Sequence, residues 1–112
     1  MIERQSRLTD AVPVFAALGD ATRLKIVNRL CGSGPMSIIE LTEGSQVTRQ
    51  AVSKHLRALE RAGLVSSGRV GRERIWELRT APLAEVRAEL EAISDRWDQA
   101  IGRLRALVQD NP

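Results

Sequence analysis

Apolar residues recur along this chain in two different periods, and the change of period marks its organisation. Val52, Leu56 and Leu59 fall at i, i+4, i+7, the spacing that aligns side chains on one face of a helix. The opposite face carries Gln50, Ser53, Lys54, Arg57 and Arg61, with no acid among them. Thr48 is placed to cap this helix, and Gly63 stops it after about Ala62. Upstream, Asp20 suits the N-cap of a helix running to about Cys31, with Leu24, Val27, Leu30 and Cys31 on one face. Cys31 therefore reads as a small buried hydrophobe. An earlier helix is expected from near Thr9, with Pro13 in its first turn, Val14, Phe15, Ala17 and Leu18 as apolar content, and Gly19 at its end. Gly32-Ser33-Gly34-Pro35 breaks the chain. Ser37-Ile38-Ile39-Glu40 is a capping box opening a short helix to about Glu43, and Gly44-Ser45-Gln46 is a turn. Two helices across so short a turn form a helix-turn-helix over about 37–62.

The period then drops to two. Leu64 to Val70 and Glu73 to Arg79 read as strands joined at Gly71-Arg72, with Arg74, Trp76 and Leu78 on one face of the second and Ile75, Glu77 and Arg79 on the other. A basic hairpin directly after a helix-turn-helix, here over about 64–79, is a wing. Its tip offers Arg69, Arg72 and Arg74 to a phosphate backbone or a minor groove. Pro82 suits the first turn of a last helix over about 82–109. Leu83, Leu90, Trp97 and Leu104 stand seven apart, as do Val86, Ile93, Ala100 and Leu107, so the helix carries a heptad stripe. Such a helix outruns a core of this size, and part of the stripe is expected to pack on a second copy. The acids Glu85, Glu89, Glu91, Asp95 and Asp98 read as its wet face, and Trp76 and Trp97 as packing residues. The expected fold is mainly α with a small β-hairpin: a winged helix-turn-helix of about five helices plus a two-stranded wing, in a single domain over 1–112.

Composition sharpens this picture. A chain with 43% hydrophobic and 28% charged residues is globular rather than disordered. The net charge of +3 is modest, but residues 49–79 hold eight Lys or Arg against three acids, and the rest of the chain is slightly acidic. That concentration of cations implies a polyanionic partner for the segment. A lone cysteine, Cys31, makes no intrachain disulfide, residues 1–7 lead into no signal-peptide core, and no apolar run spans a bilayer. A soluble cytoplasmic protein is expected, with no membrane partner.

At this point the residues resemble a known family. Ala17-Leu18-Gly19-Asp20-Ala21-Thr22-Arg23-Leu24-Lys25-Ile26, then Gln50-Ala51-Val52-Ser53-Lys54-His55-Leu56 with Leu59, then Ala62-Gly63-Leu64-Val65 and the wing from Gly68 to Leu78, resemble the ArsR/SmtB winged-helix repressors over roughly residues 8–80. The resemblance implies a bacterial, homodimeric repressor that reads an inverted repeat on double-stranded DNA. It places Thr48, Arg49, Gln50, Ser53 and Lys54 toward DNA. Arg49 and Gln50 then suit guanine and adenine edges, while Lys54 and Arg57, with the hydroxyls of Thr48 and Ser53, suit phosphate. The sequence departs from the metal-sensing members. Residues 37–43 carry no cysteine, the last helix carries no histidine, and a soft-metal site needs several such ligands. No metal and no cofactor is expected, and the effector is left unassigned.

His55 lies at the edge of the apolar face and reads as a packed histidine rather than a ligand. The alternative function is a winged helix that binds other proteins through its long last helix, which would have no need of a basic recognition face. One histidine, one cysteine and scattered carboxylates assemble no nucleophile and base, so an enzyme is not expected.

Overall fold

The structure is a computed structural model, describing residues 2–109 and the side chains of residues 9–109. The element order is α1 (Ile2–Leu18), α2 (Ala21–Ser33), β1 (Met36–Ser37), α3 (Ile38–Thr42), α4 (Arg49–Arg61), β2 (Val65–Val70), β3 (Glu73–Leu78) and α5 (Thr80–Gln109). Met1 and residues 110–112, including Asn111-Pro112, lie outside the described residues.

Local signals explain most of these boundaries. Asp20 caps α2 by accepting from the backbone N–H groups of Thr22 and Arg23 at 2.9 and 3.0 Å. The capping box closes in both directions: Glu40 N–H donates to Ser37 Oγ, and Ser37 N–H donates to Glu40 Oε1. At the end of α4, Gly63 N–H donates to the Glu60 carbonyl and Leu64 N–H to the Leu59 carbonyl. Gly63 has φ of 79°, so this is a Schellman motif at a glycine-favouring position. It turns the chain from α4 directly into the wing.

Two expectations about the helices are corrected. The first helix does not start at Thr9: α1 begins at Ile2 and runs through Pro13. Pro13 is on the exposed side, where a helix tolerates the bend that a missing N–H imposes. Cys31 is not in the core; it is exposed, as is Leu24. The buried stripe of α2 is Ile26, Val27 and Leu30, rotated from the expected one by roughly a fifth of a turn, and Leu24 and Cys31 lie on its flank.

The wing has its two strands and gains a third. The sheet order is β1-β3-β2, all antiparallel, with Met36 opposite Trp76 and Ser37 opposite Ile75. The two-residue β1 lies just after the Gly-Pro breaker, and its partner is distant in sequence, so no local pattern announces it. Trp76 is buried as expected. The core gathers Val52, Leu56 and Leu59 of α4 with Leu41, Leu64, Val65, Trp76 and residues of α1 and α2.

The last helix divides into two parts. Near its start, Val86 is buried and Leu83 is packed on the chain's own core, so these two members of the heptad stripe are occupied within the chain. From residue 93 to residue 109 every position is exposed. The 30 residues of α5 extend roughly 45 Å. The molecule measures 70 × 33 × 20 Å, and its radius of gyration is 19.1 Å against about 13 Å for a compact chain of this length. The reading of all five acids of this helix as a wet face is also corrected: Glu89 is 8% exposed and its Oε2 has no hydrogen-bond partner.

Candidate nucleic-acid interface

The first turn of α4 is built by Thr48. Its backbone is extended, and its Oγ1 accepts from Ala51 N–H at 3.1 Å. The hydroxyl oxygen is engaged in capping, and the exposed O–H remains available as a donor. Arg49 and Gln50 follow as the first two helical residues, both exposed. Arg49, Gln50, Ser53, Lys54, Arg57 and Arg61, together with Ile38 of α3, line one open concavity. Ser53 is half-buried and the charged members are exposed. Among the described residues, none of these four cations is ion-paired with an acid. The face therefore presents its charge unneutralised.

The wing carries further exposed cations. Arg69 and Arg74 are cross-strand partners, and Arg74 Nη1 donates to Ser67 Oγ at 3.0 Å. Arg72 follows Gly71 at the tip, where φ is 65°. All three arginines are exposed. Val70, which the sequence pattern did not single out, is also exposed there.

Two arginines of α2 brace α3 and the junction of α1 with α4, and neither was evident in the sequence. Arg29 donates to the carbonyls of Leu41 at 2.7 Å, Glu40 at 3.0 Å and Glu43 at 3.3 Å. It thus satisfies the C-terminal carbonyls of α3, where a cation also complements the helix dipole. Arg23 donates from Nε to the Ala17 carbonyl at 2.6 Å and from Nη2 to that of Ala16, and its Nη1 lies 3.4 Å from His55 Nδ1. Guanidinium only donates, so in this contact the ring nitrogen is the acceptor. Asp20 Oδ1 lies 4.0 Å from the same nitrogen. His55 is therefore half-buried in a polar junction of α1, α2 and α4, at the core edge rather than on the basic face. The backbone hydrogen bond from Arg23 lowers the Asp20 carboxyl below its ordinary value, aided by the Arg23 charge and the Thr22 N–H, against partial desolvation.

Among the described residues no three of His, Cys, Asp and Glu gather as metal ligands, and no helix is long and apolar enough to cross a membrane.

Residues 20–67 match the family described as bacterial regulatory protein, arsR family. The HTH-type transcriptional regulator Rv2034 of Mycobacterium tuberculosis is 39% identical over 87 residues, covering 78% of this chain and 78% of the relative. The transcriptional repressor SdpR of Bacillus subtilis is 33% identical over 72 residues, 64% of this chain and 79% of the relative. An ArsR-like transcriptional regulator from Rhodococcus sp. RHA1 superposes with a TM-score of 0.75 at 37% identity, covering 89% of this chain and 93% of that one. The chain belongs to the ArsR family of transcriptional regulators and has its winged helix-turn-helix fold; it is not an enzyme.

Proposed function

We propose that the protein is a homodimeric repressor that reads an inverted repeat by placing α4 of each copy in successive major grooves, with the wing against the flanking backbone or minor groove. The observation that carries this reading is the acid-free, unpaired basic concavity of α4. Four exposed cations beside Gln50 and Ser53 suit phosphate oxygens and base edges. Thr48, Arg49, Gln50, Ser53, Lys54 and Arg57, with Arg69, Arg72 and Arg74 of the wing, form the contact set. Arg49 and Gln50 read bases, and Lys54 and Arg57 anchor phosphates.

Self-association runs through the free part of α5. Leu90, Ile93, Trp97, Leu104 and Leu107 are exposed apolar residues on this helix, with Ala100 in the same series. Trp97 at 66% and Leu104 at 61% exposure are costly to leave in water, and a protruding helix gains its stability by packing an apolar face. A second copy supplies that packing. The name of SdpR supports the direction of control, repression. The test is fluorescence anisotropy on DNA from the chain's own upstream region across a salt series. Saturable binding that weakens steeply with salt, and that scrambled DNA of equal length competes for poorly, is the expected result. Binding that is indifferent to sequence or to salt refutes the reading.

A further inference from the structure

Glu89 sits on α5 where that helix packs against α1, and it is the one buried carboxylate whose Oε2 lacks a hydrogen-bond partner among the described residues. It lines a cavity of about 290 Å³ with Asp10 of α1 and Glu85 and Ala88 of α5. Three acids around one recess, the deepest of them buried and unpartnered, are unfavourable for the isolated chain. Among the described residues none is ion-paired to these acids, and the basic face of α4 lies elsewhere. We infer that this cavity is a binding site for a small organic cation, an alkylammonium or guanidinium group whose charge faces Glu89 and whose short carbon chain passes Ala88.

Size and geometry favour an organic cation over a metal ion. Coordination bonds to hard cations are about 2.0–2.6 Å long and need converging oxygens. These acids do not gather as a metal-ligand set, and the cavity is far larger than an ion. A cationic head on a short carbon chain brings several N–H donors to carboxylates held on different helices.

The position also gives the site an outlet. α1 forms one wall, and its last carbonyls, of Ala16 and Ala17, are held by Arg23, whose guanidinium touches His55 of α4. A ligand that draws α1 and α5 together acts on the helix that carries the basic face. This consequence rests on the DNA-binding reading; the binding site itself does not.

The test uses the intact protein without DNA. Ethylamine, putrescine and agmatine are titrated by calorimetry and thermal shift at constant ionic strength, with 1,4-butanediol as the neutral control and magnesium chloride as the metal control. The expected result is saturable binding of at least one amine with a rise in Tm, weakened tenfold or more by Glu89→Gln and measurably by Glu85→Gln, with no response to the diol. Because Glu89→Gln keeps the shape of the side chain and removes an unpaired charge, this variant should be folded and its ligand-free Tm should not fall. No saturable response to any amine overturns the proposal. So does an undiminished response in Glu89→Gln, an equal response to magnesium, or a crystal structure of the assembled protein with one of its own Arg or Lys side chains in the cavity. Anisotropy on DNA with and without the bound amine then reads regulation separately, so failure of the DNA reading leaves the calorimetric result standing.

Discussion

Arg69 and Arg74 stand directly opposite each other across the wing. Like charges in cross-strand register weaken a hairpin, by up to about 1 kcal/mol. Ser67 accepts a hydrogen bond from Arg74 but neutralises nothing. The pair is thus a small liability to the folded chain and an asset only beside an anion. Replacing either arginine by alanine is expected to leave Tm unchanged or slightly raised, and to weaken DNA binding. The slope of log K against log salt should flatten by about 0.9 for each phosphate that the variant no longer neutralises. A drop in Tm with unchanged DNA affinity would assign the pair to folding instead.

On α4, the division between base readers and phosphate anchors makes opposite predictions. Gln50→Ala and Arg49→Ala should each cost about 1–3 kcal/mol on the preferred site and little on unrelated DNA, narrowing the gap between the two. Lys54→Ala should weaken both by a similar factor and reduce the salt slope by about 1. Parallel anisotropy titrations on specific and scrambled duplexes separate the two patterns.

The free part of α5 is tested by sedimentation. Leu104→Glu or Trp97→Ala should shift the protein toward monomer, with an association constant at least tenfold weaker, while the far-UV signal of the winged domain persists. A chain ending after Ala92 keeps Leu83, Val86 and Glu89 in place and should fold without assembling. Undiminished dimerisation of that truncated chain would remove α5 from the interface.

Asp20 provides a pH signature. Its folded-state carboxyl lies below the ordinary value of 3.8, chiefly because the Arg23 N–H donates to the charged form. The stabilisation is therefore fully present above that ordinary value and is lost as pH falls through the lowered one. Urea midpoints of wild type and Asp20→Asn should differ above the ordinary carboxylate value of 3.8 and converge as pH falls through the lowered one. A difference that stays constant across that range would show that the carboxyl charge is not involved.

Arg29 is expected to matter for stability and for DNA alike. Arg29→Met keeps much of the side chain's bulk and leaves the carbonyls of Glu40, Leu41 and Glu43 without their donor. A loss of about 1–3 kcal/mol in urea unfolding should be joined by weaker specific binding, because the turn that aims Thr48 and Arg49 is loosened. Normal specific affinity in the folded variant would confine Arg29 to stability.

Much of this was legible in the residues because the signals are local. The capping box at Ser37, the caps at Asp20 and Thr48, the Gly63 stop and the i, i+4, i+7 stripe of α4 each act within a few positions, and each lies where the pattern put it. What was not legible depends on distant partners. β1 exists because Met36 finds Trp76. Cys31 and Leu24 are exposed because α2 is rotated by the helices around it, and periodicity cannot fix that angle when apolar residues surround most of a helix. Glu89 reads as a surface acid on its own helix and becomes buried only when α1 covers it. Arg23 and Arg29 serve carbonyls on other helices, which no spacing within α2 reveals. The basic face was visible from helical spacing, which sets Lys54, Arg57 and Arg61 opposite Val52, Leu56 and Leu59.

The exposed stretch of α5 also bears on how much protein is needed for control. If its burial requires a second copy, the species that spans both half-sites forms in proportion to the square of the monomer concentration whenever dimers are scarce. Operator occupancy then rises more steeply than a single-chain binder would allow. A modest change in synthesis or degradation, with no ligand at all, would move the operator between open and closed.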